Sequence, residues 1–395
     1  MRLRTQRTVD NYLGRIGIAL LRPVTMVLGR LLRRDHQLTV GDEIVWIKLL
    51  GGGSLIIAMP MLLGFRRAQP NVKMVLITTP SVRPFAELTG VFDEYRIIDV
   101  GSTWRILTSA LRVWWQTLHA DCIVDLEVHS KLTTVFTTLT MARNRVSFWL
   151  EHIFWRRGLA SHLVFFNRSS ASYHFYDRIG ELFGAPIADQ AACRAALTMT
   201  CGVPSPVLRI PGQICVGFAC SDLGQERMLS TEQWAHVARA NLRPGHRTLA
   251  LLGTPSDRGQ ADAIIARLGA EFPQLTFRNL CGEMTLRESV ATIFASDEFW
   301  GIDSSLLHFA RIAGRRCVSY WGPTDPATRL RDGWQVDEVT HYRKVACSPC
   351  VHTSEEPPCR GDNRCIQGLF DPSIAGAPLG WTPVEYPRHR VVSRS

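Results

Sequence analysis

No run of about 18 uncharged apolar residues occurs anywhere in the 395 residues, which excludes a polytopic membrane protein. The N-terminus has no small-residue cleavage site after its apolar stretch, and arginines interrupt that stretch, so a signal peptide is not expected. Cysteine is scarce for a disulfide scaffold: 11 residues, under 3% of a long chain, fit a reduced, cytosolic setting better. Neither a Gly-x-x-x-x-Gly-Lys-Ser/Thr loop nor a Gly-x-Gly-x-x-Gly turn is present. What remains is an ordinary globular composition, 46% hydrophobic and 20% charged with mean hydropathy +0.01, at a length that suits about two to three domains.

The net charge of +10 calls for an anionic partner. Much of it is concentrated. Arg2, Arg4, Arg7, Arg15, Arg22, Arg30, Arg33 and Arg34 face one acid, Asp10, a local net of +7. Apolar residues recur between them at i, i+3 and i+4, from Tyr12 and Leu13 to Leu31 and Leu32. Residues 1–37 therefore read as a basic amphipathic helix, broken near Pro23, suited to an anionic membrane surface. The plainer alternative is a helix packed on the protein with solvated arginines. Outside this segment the positive charge is dispersed, so nucleic acid is not expected.

From residue 38 the grammar is α/β. Glu43 to Leu50 is a strand, ending in Gly51, Gly52, Gly53 and Ser54 before an apolar helix. Val72–Thr79, Tyr95–Val100 and Ala120–Leu126 are further strands, with helical stretches between most of them. A proline-bearing stretch from Gly202 to Pro211 separates a second set: strands at Ile214–Ala219, Thr248–Leu252, Glu298–Ile302 and Cys317–Trp321, and helices at Thr231–Asn241 and Ser256–Phe272. This gives an N-terminal domain over 38–205, a C-terminal domain over 206–370 and a tail over 371–395. Ligands of such domains sit at strand carboxyl ends, here facing a cleft.

The residues that could carry chemistry fall on strand-to-helix turns. Lys48 to Ser54, with Gly51, Gly52 and Gly53 inside it, lets the backbone turn sharply and offers amides to an anion, though about half of such turns serve only the turn. Asp303, Ser304 and Ser305 end a strand, the serines suit a helix N-cap, and His308 follows on the first turn; the alternative is a capped helix with a core histidine. Gly322 to Thr324 forms a turn after the next strand. Glu127, with Asp125 before it, ends a strand and suits a general base; a surface carboxylate is the alternative. Cys347, Cys350, Cys359 and Cys365 place four thiols within 19 residues. They suit a tetrahedral structural zinc, with disulfides or free thiols as alternatives.

In this order and spacing the chain resembles glycosyltransferase family 9, the lipopolysaccharide heptosyltransferases. The resemblance runs from about Val40 to Phe370. It rests on Ile47 to Pro60, Cys281 to Leu286, Gly301 to Ala310, Trp321 to Pro326 and the Cys-x2-Cys tail. It implies a GT-B architecture of two Rossmann-like domains, acceptor bound mainly by the first and nucleotide-sugar by the second, with no catalytic metal or other cofactor. Relatives carry Gly-Asp, the proposed base, where this chain has Gly53-Ser54; a serine hydroxyl is far too weakly basic to replace it at pH 7. Glu127 is the candidate for the moved base. Asp303-Ser304-Ser305 stands for the family's Asp-Ser-Gly. Arg227 stands at a donor-binding lysine and suits a diphosphate.

The expected function is inverting sugar transfer, possible for a heptose, from a nucleotide-diphosphate donor to a hydroxyl of a lipid-linked or envelope saccharide, at the inner face of the cytoplasmic membrane. Arg227, Ser304, Ser305 and Thr324 would stabilise the leaving diphosphate, and His308 would orient that loop. The alternatives are a non-catalytic scaffold that keeps the fold, motivated by Ser54, and a sugar-nucleotide epimerase.

Overall fold

The computed structural model describes residues 3–32, 37–118, 120–150, 156–204, 207–220, 224–351, 359, 362–371, 373–374 and 384–385. Arg2, Arg33, Arg34 and most of the 371–395 tail lie outside them. The chain forms two compact units, Met1–Asp189 and Gln190–Ser395.

The first unit runs α1 (Leu3–Leu32), β1 (Glu43–Lys48), α2 (Gly52–Ala68), β2 (Lys73–Thr78), α3 (Arg83–Thr89), β3 (Glu94–Ile97), α4 (Thr103–Thr117), β4 (Cys122–Asp125), α5 (Lys131–Leu139), β5 (Asn144–Trp149), β6 (His162–Phe165) and α6 (Ser172–Leu182). Its six strands lie in the order β3-β2-β1-β4-β5-β6, all parallel. A sheet covered on both faces needs strands apolar on both sides, and β1 is buried from Ile44 to Lys48. Trp46 packs edge-on against Phe65 of α2 at 5.4 Å. Its neighbours Val45 and Ile47 face the other way, into a cluster with Val113 of α4 and Phe136 of α5.

The second unit runs α7 (Gln190–Cys201), β7 (Gln213–Gly217), α8 (Thr231–Asn241), β8 (Thr248–Leu251), α9 (Arg258–Glu271), β9 (Thr276–Asn279), α10 (Leu286–Ala295), β10 (Glu298–Ile302), α11 (Ser305–Ala313), β11 (Arg316–Trp321), β12 (Glu338–Lys344), α12 (Arg364–Phe370) and β13 (Val384–Glu385). The sheet order is β13-β12-β11-β10-β7-β8-β9, with β13 antiparallel on β12 and the other six strands parallel. Read from β9, the parallel strands repeat the winding of the first unit.

Two features depart from the sequence reading. The domain border, drawn at 205/206, falls earlier, because α7 packs with the second unit. Gln190 Nε2 donates to the Arg311 carbonyl at 2.7 Å, and Arg194 Nε to that of Ile312 at 3.0 Å. Secondly, α1 does not break at Pro23 but continues through it to Leu32. Pro removes one intrahelical donor, at a cost of about 3 kcal/mol, and packing along the rest of the helix outweighs that cost.

That packing is specific. Asp10 accepts from Ser130 Oγ (2.5 Å), Lys131 N (2.9 Å) and Leu132 N (2.9 Å), so it caps the start of α5 from another helix. Gly14 and Gly17 then bring the two helices close: a Cβ on Gly14 would lie 2.3 Å from Lys131 Cβ, and one on Gly17 2.8 Å from Val135 Cγ2. Replacing Asp10 with Ala should cost about 1–2 kcal/mol, read as a lower thermal midpoint together with faster proteolytic removal of α1. An unchanged midpoint and cleavage rate would show that the cap contributes nothing.

Candidate functional site

In an open parallel sheet of this winding, the first and fourth strands are neighbours whose connections leave in opposite directions, and a crevice opens at their carboxyl ends. In the first unit that point lies between β1 and β4. It holds the glycine turn after β1 and Glu127 after β4. Gly51 caps α2 in a left-handed conformation, φ 73°, and a Cβ on Gly52 would strike the Phe85 ring. Gly53 is the second residue of the same helix. Ser54 donates its hydroxyl back to the Gly51 carbonyl at 2.6 Å.

Glu127 is brought to this turn from 78 residues away. Its Oε1 accepts from Leu49 N (2.7 Å) and Leu50 N (2.9 Å) and lies 3.3 Å from Lys48 Nζ. Burial works against the charge of Lys48, but the Glu127 carboxylate prevails and raises the Lys48 pKa above its ordinary value. All three contacts fall on Oε1, so Oε2 is the oxygen left for a ligand. Beneath it, Asp125 accepts from Glu127 N and Thr133 Oγ1, and burial pushes its carboxyl up to about 6 against the pull of Arg156. The fully buried Arg156 donates to the carbonyls of Phe148 and Glu127 and to Thr134 Oγ1. Lys48 opens the turn read in the sequence but was given no role there, and Arg156 was not singled out, because it stands in a stretch with no motif.

The second unit repeats the arrangement between β7 and β10. Arg227 Nη1 donates to the Asp303 carbonyl (2.7 Å) and to Oδ2 (3.2 Å), while Nε donates to Gly224 O. Burial opposes the Asp303 charge, but Arg227, then Arg329 and His308, hold its carboxyl below the ordinary value. Ser304 is the N-cap of α11 by backbone. Its hydroxyl does not bond the helix as expected; Ser304 Oγ is buried without a hydrogen-bond partner, while the buried Thr324 hydroxyl helps to hold the Asp303 carboxylate charged. Ser305 opens α11, whose N-terminal amides favour an anion. The unsatisfied Ser304 hydroxyl, the Thr324 hydroxyl, a guanidinium and a helix N-terminus make a donor-rich surface.

The turn from Gly322 to Thr324 is braced by the cysteine loop. Cys350 N and Val351 N donate to Pro323 O, Ser348 Oγ to Gly322 O, and a Cβ on Gly322 would meet Cys365 Sγ at 2.8 Å. Cys347, Cys350, Cys359 and Cys365 line one cavity of about 320 Å³. Burial pushes Cys350 up to about 11 and Cys365 to about 12. Among the described residues no group of three His, Cys, Asp or Glu side chains is placed to hold a metal.

Residues 216–359 match the model of glycosyltransferase family 9, described as heptosyltransferase. This is the family that the motifs resemble. The matched segment contains the whole Arg227–Asp303–Thr324 constellation. E. coli heptosyltransferase WaaC, solved with ADP-2-deoxy-2-fluoro heptose, superposes with TM-score 0.60 at 12% identity, covering 85% of this chain and 100% of that one. E. coli ADP-heptose lps heptosyltransferase II gives 0.57 at 16%, covering 77% and 91%. A family 9 glycosyltransferase from Veillonella parvula gives 0.56 at 16%, covering 78% and 87%. No curated protein sequence matches. The fold is that of the family 9 structures, two α/β units of GT-B type.

His308 reports on the second site. It is buried, and burial pushes its pKa down to about 4 from an ordinary 6.5, against the pull of Asp303. The folded protein therefore holds it neutral where the unfolded chain takes up a proton. Its contribution to stability is complete above pH 6.5 and is lost as pH falls towards 4. His308→Gln should flatten the fall of the thermal midpoint across that window; an unchanged slope would place the titration elsewhere.

Proposed function

We propose that the protein is an inverting glycosyltransferase that moves a sugar from a nucleotide-diphosphate donor to a hydroxyl of a lipid-linked or envelope saccharide, of the lipopolysaccharide-core kind. The observation that carries this reading is Glu127 at the Gly51 turn, because it supplies a carboxylate where Ser54 cannot act as a base. Glu127 Oε2 takes the proton of the acceptor hydroxyl, while Lys48 and the amides of Leu49 and Leu50 hold the other oxygen in place. The hydroxyls of Ser304 and Thr324, the amides at the start of α11 and Arg227 take up the charge that grows on the leaving diphosphate. Asp303 orients Arg227, and the buried His308 stays a neutral ring. No step in this scheme uses a metal.

Neither the sugar nor the nucleotide is fixed by this chemistry. A heptose fits the solved proteins of similar fold. A lipid-linked acceptor would be met at the inner face of the cytoplasmic membrane, where we propose that the enzyme works, and the basic α1 is the element we assign to that surface. Among the described residues no helix is long and apolar enough to cross it.

A thermal-shift panel of nucleotide diphosphates and nucleotide sugars tests donor binding. One nucleotide should raise the midpoint by mass action, and Arg227→Ala should abolish the shift. Glu127→Gln should keep the shift yet lower transfer by about 10²–10⁴-fold, with Ser54→Ala near the parent rate. Full transfer by Glu127→Gln would move the base elsewhere. No shift with any donor would favour a non-catalytic scaffold, for which Ser54, turned back onto Gly51, is the specific evidence.

A further inference from the structure

Helix α4 is amphipathic in the wrong sense for a helix that covers a sheet. Towards the sheet it turns Ser109, Val113 and Thr117, two of them hydroxyl residues. Ser109 Oγ accepts from Asp99 N, and Thr117 Oγ1 from Arg96 Nη1. Towards solvent it turns Trp104 (73% exposed), Leu107 (52%), Leu111 (63%) and Trp115 (73%). These positions form one stripe along the helix, about 16 Å long at 1.5 Å per residue. Four large apolar side chains in a line are not scattered exposure.

A second such face lies on the same side of the sheet. Val113 of α4 and Phe136 of α5 share one apolar cluster against Val45, Ile47, Val75 and Ile77, and α1 lies on α5 through Asp10, Gly14 and Gly17. Docking through that edge leaves Leu13, Ile16, Leu20, Val24, Val27 and Leu31 of α1 exposed. Arg15 of α1 and Arg112 of α4 are exposed beside these apolar residues, on long stems that can reach anionic headgroups. Tryptophan at both ends of the α4 stripe suits the boundary between headgroups and acyl chains, where one edge of the ring stays wet.

We propose that α4 and α1 together form a bilayer-docking surface, in which the Trp104–Leu107–Leu111–Trp115 stripe enters the headgroup–acyl boundary of an anionic membrane beside the apolar face of α1. This rests on the reading that the protein works at such a membrane, and extends it from a single helix to a two-helix surface. Two elements held by one rigid sheet bind together, so their apolar areas act in concert without each paying separately for orientation. The start of α5 follows the Glu127 loop and is capped by Asp10, so docking through α1 bears on the segment that positions Glu127.

The test is co-sedimentation of the full chain with vesicles of phosphatidylcholine alone and of phosphatidylcholine with phosphatidylglycerol. Binding should need the anionic lipid. Trp104→Gln/Trp115→Gln should weaken it by roughly 10-fold or more, while the thermal midpoint and any nucleotide shift stay at parent values. Leu13→Gln/Leu20→Gln should do the same from α1. If only the α1 variant loses binding, the stripe does not touch lipid and the proposal fails while the membrane reading stands. If the parent binds no vesicle, both fail. If the tryptophan variant instead lowers the sedimentation coefficient of lipid-free protein, the stripe joins copies of the chain and the proposal is overturned.

Discussion

The arrangement depends on one topological constraint. Right-handed crossovers wind each parallel sheet outwards from its first strand, then return to that strand's free side with the fourth. The connections after β1 and β4 therefore diverge, and so do those after β7 and β10. Gly51 and Glu127 meet at one such divergence, Arg227 and Asp303 at the other. Chain segments 78 and 76 residues apart become hydrogen-bonding neighbours through winding alone.

Holding polar groups at such a point requires compensation. Buried charges cost several kcal/mol unless each is paired and its remaining hydrogen-bonding positions are filled. The first unit meets this with Arg156, whose guanidinium spends its donors on Asp125, Thr134 and three backbone carbonyls. Its work is to shape the loop that carries Glu127. In the second unit Arg227 fixes the backbone and carboxylate of Asp303 together, while the hydroxyl of Ser304 is left without a partner. Leaving a buried hydroxyl unsatisfied costs about 1–3 kcal/mol, a cost that a ligand's oxygens would relieve. The two sites thus differ in kind: one is internally satisfied except for a single carboxylate oxygen, the other is short of acceptors.

The outer surface of the first unit follows a different logic. A helix over a sheet ordinarily buries its apolar stripe, yet α4 gives the sheet little besides Val113. Helix α1 splits its apolar residues between α5 and solvent, and glycines at 14 and 17 let it lie close without using its larger side chains. Periodicity alone shows that such helices are amphipathic. Which stripe the body covers is decided by its neighbours.

Much of the framework was legible from residues alone. The strand at Glu298–Ile302 and the helix at Thr231–Asn241 have the same bounds in sequence and structure, because long apolar runs and a Ser230 capping box mark their ends locally. Strands β5, β6, β9 and β12 were not read, since they are short, or polar as in Glu338–Lys344, and take their conformation from the strand beside them. The motif order was enough to point to the family, and turn chemistry put Gly51, Glu127, Asp303 and Gly322 at strand ends, while Arg227 came only from the resemblance. Sequence could not supply the contact of Glu127 with Lys48, the clasp of Arg156, the unpaired hydroxyl of Ser304 or the course of α1 through Pro23. Each is a long-range contact or the lack of one, and side-chain pairing across the fold has no local signature. Sequence set which residues stand at the turns; the winding of the sheets decided which turns meet.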